Sequence, residues 1–72
     1  MAVMAKVLIL SAALTAHRTE RGLSMREVGA AVGVSKATIS NIERGIFKPR
    51  RTTLLRLVEY LREQGYEVRE VA

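Results

Sequence analysis

The segment SKATISNIERG, residues 35–45, carries the side chains with the most directed chemistry in this 72-residue chain. A helix that buries Ile39 and Ile42 must turn Lys36, Ala37, Ser40, Asn41 and Arg44 outward, because residues three and four apart share a face. Lysine donates to guanine O6 and N7, asparagine pairs bidentately with adenine, and alanine is small enough to lie against a thymine methyl. A face with this inventory and almost no acid suits the major groove of a DNA duplex. The plain alternative is a solvated polar surface.

The charge distribution favours the first reading. The net charge is +5. Residues 36–56 hold six basic side chains (Lys36, Arg44, Lys48, Arg50, Arg51, Arg56) and one acidic one, Glu43. Residues 57–72 hold two basic against four acidic, so the positive excess is concentrated in the middle of the chain. A basic patch of this kind attracts nucleic acid, although an anionic membrane or an acidic protein would attract it too.

Other chemistry is poorly represented. There are no cysteines and one histidine, so thiolate zinc sites and disulfides are excluded, and a reduced cytoplasmic, nucleoid-associated location is expected. His17 is read as a packing or capping residue, with no metal and no cofactor expected. Glu59 and Glu63 stand one helical turn apart around Arg62 on a solvated face. No glycine-rich phosphate loop is present, and the length leaves no room for a catalytic cleft; no enzyme is expected. The opening MAVMAKVLILSAALTAH resembles a short signal peptide. Cleavage near Ala16 would, however, remove Leu10 and Leu14 from the core, and no run is long enough to span a bilayer.

The elements that position the outward face follow from caps and periodicity. Hydrophobic residues make up 49% and aromatics only 4%, a composition suited to packed helices. Val3, Val7, Leu10, Leu14 and His17 form the stripe of a first helix ending at Gly22, with Arg18 and Arg21 in its last turn. KVLIL also reads as a strand, with Ser11 then capping a later helix start; the helix is preferred. Ser24 and Glu27 form a capping box for a second helix carrying Val28 and Val32 inward and broken at Gly33. Ser35 caps the third. About three residues, Gly33 to Ser35, join these two helices, which forces a steep crossing. GIFKPRR is a basic loop. A fourth helix from about Arg51 to Gln64 covers a broad apolar arc of Leu54, Leu55, Leu57, Val58 and Leu61. The tail YEVREVA is strand-forming but too short to stand alone.

Residues 14–61, through RTERGLSMREVGAAVGVSKATISNIERGIFKP and TLLRLVEYL, resemble the lambda-repressor-like (Xre/Cro-type) helix-turn-helix domains. The inward Val28, Val32, Val34, Ile39 and Ile42, the turn at Gly33, and IERG followed by a basic segment and a proline carry that resemblance. It implies an all-α, four-helix domain occupying residues 1–72, with the helix-turn-helix unit at about 24–45 and short terminal strands available for dimerisation. It also implies base contacts from Lys36, Ala37, Ser40 and Asn41 and phosphate contacts from Thr38, Arg44, Lys48, Arg50 and Arg51, with Thr38 alternatively supporting its helix. A structural ion pair, Arg18–Glu43, is implied as well. Two departures stand out. Met25 occupies a position where the family commonly has glutamine, and Gly29 replaces the usual alanine at the helix crossing.

One recognition helix reads only about four to six base pairs, so a homodimer on a palindromic site is expected. The expected dimer residues are Tyr60, Tyr66, Val68 and Val71, with the tail 66–72 pairing either with its copy or with Lys6–Leu10. The expected function is a dimeric repressor of transcription acting on double-stranded DNA. No ligand-sensing segment follows the reader, so control by protein amount or by a protein partner is expected. The alternative is the antitoxin of a toxin–antitoxin pair, which binds its toxin and represses its own operon.

Overall fold

The computed structural model describes residues 6–46 and 48–70. Four helices lie between two short strands: β1 (Lys6–Ile9), α1 (Leu10–Arg21), α2 (Met25–Val32), α3 (Lys36–Glu43), α4 (Arg51–Glu63) and β2 (Tyr66–Glu70). The strands pair in parallel, Lys6 with Tyr66, Val7 with Glu67, Leu8 with Val68 and Ile9 with Glu70, so that Arg69 is passed over in a bulge. Parallel neighbours need a crossover connection, and here the four helices supply it. The architecture is mostly helical, as the sequence implies.

The expected first helix is corrected at its start. Lys6–Ile9 is strand, and the chain turns into α1 directly at Ile9, which caps it without a side-chain hydrogen bond. Ser11 lies inside the first turn and is not the cap. Val7 sits in the strand, and Val3 lies outside the described residues. The four-and-three spacing of Val3, Val7 and Leu10 suits a helix, but pairing with β2 supplies backbone partners that a frayed helical turn would lack.

The other boundaries follow their caps. Gly22 closes α1 at φ 64°, donating its N–H to the Thr19 carbonyl at 3.2 Å, while Leu23 N–H reaches the Arg18 carbonyl at 2.9 Å. At the start of α2, the Ser24 hydroxyl accepts from Glu27 N–H at 3.0 Å and the Glu27 carboxylate accepts from Ser24 N–H at 2.8 Å. That pairing holds the exposed Glu27 carboxyl below its usual range. Leu10, Ala13, Leu14, Val28, Val32, Ile39, Ile42, Leu57, Leu61 and Tyr66 form the core. The arc expected on α4 proves too broad. Leu57 and Leu61 are fully buried, Leu54 and Val58 only partly so, and Leu55 is 55% exposed.

His17 is buried among the core residues at 1% exposure. Its Nε2 lies 2.6 Å from the Tyr60 hydroxyl, its ring meets both Tyr60 and Tyr66 edge-on, and its Nδ1 has no hydrogen-bond partner among the described residues. Tyr66 donates to the Glu20 carboxylate, which fastens β2 to α1. Burial lowers the His17 pKa below 6.5; Arg21 adds to the effect and Glu20 opposes it. The unfolded chain therefore takes up this proton first. Stability is complete above the unfolded value and is lost as pH falls through the folded one. Urea denaturation should show the unfolding free energy declining from about pH 7 to 5. In His17→Gln, which keeps a polar partner for Tyr60, that decline should flatten; an unchanged slope would assign it to other groups.

Candidate nucleic-acid interface

The position of α3 is set first by a backbone contact. A Cβ at Gly29 would lie 2.6 Å from the Val34 carbonyl oxygen, closer than such atoms approach. The Gly29 carbonyl also accepts two turn hydrogen bonds, from Gly33 N–H at 2.7 Å and Val34 N–H at 2.8 Å. Gly33 takes φ 89°, where a side chain would be strained. The chain thus leaves α2 and enters α3 through a joint whose closeness requires the missing side chain. Ser35 then caps α3, its Oγ accepting from Thr38 N–H at 3.1 Å.

The other end of α3 is held by charge. Arg18 Nε donates to Glu43 Oε2 at 2.7 Å and Arg18 Nη2 to Glu43 Oε1 at 3.0 Å, a two-pronged pair. Glu43 is only 6% exposed. The Glu43 hydrogen bond raises the Arg18 pKa, so the guanidinium stays charged at any relevant pH. The pair implied by the resemblance is therefore present. It removes the single acid of the basic segment from the outward face.

With Ile39 and Ile42 buried, Lys36, Ala37 and Arg44 are exposed and Ser40 and Asn41 half-buried. Among the described residues, the Lys36, Ser40 and Asn41 side chains have no hydrogen-bond partner, so their donors and acceptors are available outward. Thr38 differs: its hydroxyl is 2.9 Å from that of Ser35 and belongs to the cap. Beyond α3, Pro49 is buried and anchors the loop, while Lys48, Arg50 and Arg51 on either side are exposed. Helix α4 begins with no side-chain cap and no acid in its first turn, and Arg50 and Arg51 stand there. Exposed amides at a helix N-terminus carry partial positive charge, so this end adds to the basic strip.

A helix-turn-helix family model matches residues 14–68, a span that contains α2, α3 and the whole basic strip. The chain belongs to the lambda-repressor-like (Xre-type) helix-turn-helix family. That makes it a DNA-binding transcription regulator. No curated protein and no solved structure matches it. In this lambda-repressor-like domain, no helix among the described residues is long and apolar enough to cross a membrane, and no cluster of potential metal ligands occurs among them.

The structure also gives the surroundings of several other residues. Met25 packs against the core and leaves α2 without a polar group at its first position. Three of the four residues expected at a dimer contact are engaged within the protomer: Tyr60 with His17, Tyr66 with Glu20 and the core, and Val68 against the core. Val71 lies outside the described residues. Sequence reasoning missed the place of Arg56, whose guanidinium lies 3.6 Å from where a Gly33 Cβ would stand. Neither its spacing nor its charge distinguished it from any other exposed arginine of α4.

Two measurements check this arrangement. Gly29→Ala gains about 1 kcal/mol of helix propensity, but the overpacked joint should cost more and lower the net unfolding free energy by about 1–2 kcal/mol. A variant as stable as the parent would show that the joint can relax. Arg18→Ala should cost about 1–2 kcal/mol, because it leaves the Glu43 carboxylate without its charged hydrogen-bond partner at a part-buried site. In that background, Glu43→Ala should cost far less than it does alone. Additive losses in the double-mutant cycle would remove the pair's structural role.

Proposed function

We propose that this protein is a dimeric repressor that reads a palindromic operator by placing α3 in the major groove of each half-site. The observation that carries the reading is the outward face of α3. Lys36, Ala37, Ser40 and Asn41 lie on one side of a helix pinned from behind by Ile39 and Ile42, and their polar groups are unengaged. In this reading Lys36 donates to a guanine, Asn41 pairs with an adenine, Ala37 lies against a thymine methyl and Ser40 contacts the groove edge. Arg44, Lys48, Arg50 and Arg51 hold phosphates and set the register without reading sequence. The uncapped start of α4 adds backbone donors to the same phosphates. Thr38 contributes through the Ser35 cap.

Dimerism follows from the length of site that one helix reads. Two copies about 34 Å apart cover successive major grooves and raise the specificity ratio. Repression needs nothing more than occupancy, because a bound dimer denies the groove to other proteins. The antitoxin alternative needs a segment to embrace a toxin. Residues 66–70 are paired with β1 and packed on α1 and α4, so no observation favours it over the repressor.

Selection from a randomised duplex pool, repeated at several salt concentrations, tests the proposal. An enriched palindrome is expected. Asn41→Ala should cost about 1–3 kcal/mol and relax preference at one position. Arg51→Ala should weaken all sequences evenly and reduce the salt slope by about one. Binding with a steep salt dependence and no enrichment would mean charge alone is at work and would end the base-reading assignment.

A further inference from the structure

The outer face of α4 is not used by the core, the β-sheet or the basic strip. Leu55 is 55% exposed. Together with Val58, Glu59, Arg62 and Glu63 it lines an open groove of about 470 Å³. At 100° per residue, Leu55, Val58, Glu59 and Arg62 form one stripe roughly opposite the buried Leu57. An exposed leucine by itself needs no explanation. This one is continuous with a second apolar side chain and bordered by both signs of charge. Among the described residues, the Glu59, Arg62 and Glu63 side chains have no ion-pair partner in their own protomer, although Glu59 and Arg62 are one turn apart.

We propose that this face is the surface through which two copies of the chain associate, α4 against α4 and antiparallel. The stripe is self-complementary. With the two-fold axis near Val58 and Glu59, each Leu55 lies across from the partner's Arg62. The aliphatic stem of that arginine covers the leucine, while its guanidinium reaches Glu59 beside it. Two-fold symmetry makes the same contact twice. Apolar side chains at the centre with opposite charges at the rim match the anatomy of stable interfaces. A foreign partner would need the complementary order of an apolar, a basic and an acidic group; a second copy of α4 already has it. This deepens the proposed function by naming the dimer surface. It also moves that surface away from Tyr60, Tyr66 and Val68, which are engaged inside the protomer.

The experiment is the oligomeric state of the full chain without DNA, by sedimentation equilibrium over a micromolar concentration series. The parent should be a dimer, and Leu55→Glu, at an exposed position, should be a folded monomer by circular dichroism. Glu59→Arg and Arg62→Glu should each weaken association about tenfold, since symmetry doubles each lost pair. The double variant Glu59→Arg/Arg62→Glu should restore it. A monomeric parent, a Leu55→Glu variant that still dimerises, or a double variant no better than the singles would each overturn the interface. Failure here is separable from failure of the DNA reading. A monomeric parent that still enriches a sequence sensitive to Asn41→Ala loses the interface and keeps the groove assignment. A dimer sensitive to Leu55→Glu that enriches nothing does the reverse.

Discussion

The direction in which α3 points depends on one missing methyl group. At the crossing of α2 and α3 the Gly29 Cα approaches the Val34 carbonyl so closely that a Cβ would stand at 2.6 Å. Gly33, in the left-handed region, turns the chain within that space. Once the joint is this tight, the rotation of α3 is no longer free. Ile39 and Ile42 meet the core, and the residues between them are carried to the other side by helical geometry alone. A wider joint would let α3 roll, and a roll of one residue, 100°, would exchange Asn41 for a buried neighbour.

The Arg18–Glu43 pair fixes what the glycine joint leaves open, the far end of the helix. Its charge logic is as useful as its geometry. An acid next to Arg44 and five residues before Lys48 would repel a polyanion if it pointed outward. Glu43 is instead 6% exposed and held by two hydrogen bonds from a cation on α1. A part-buried pair of this kind is weak evidence for net stability. Its clearer consequence here is an outward surface that retains only cationic and neutral groups.

How much of this was legible in the sequence varies with the range of the interaction. Ser24 with Glu27, Ser35, and the glycines at 22 and 33 act within four residues of themselves, so the boundaries they set could be read directly. The face of α3 was legible for the same reason, since two buried isoleucines determine the rest. Long-range choices were not. Residues 6–9 satisfied both periods, and only the pairing with Tyr66–Glu70, some 60 residues away, made them strand. Leu55 matched an apolar arc whose true width is set by what α1 and β2 leave uncovered. Tyr60 and Tyr66 looked available because their partners, His17 and Glu20, lie more than 40 residues distant.

Helix α4 brings these local and distant constraints together. Its buried edge, Leu57 and Leu61, seats it in the core, and Tyr60 reaches His17 and so the base of the sheet. Its first turn concentrates Arg50 and Arg51 at an uncapped N-terminus, an arrangement that is unfavourable in isolation because positive side chains meet the positive end of the helix dipole. An anion relieves that conflict, and a phosphate backbone supplies anions at a regular spacing. The same helix then becomes acidic towards its C-terminus, with Glu59 and Glu63 around Arg62. Local electrostatic consistency is thus broken at the basic end of the helix and balanced at the other. Natural sequences depart from local consistency where function requires it, and on α4 that departure coincides with the basic strip beside α3.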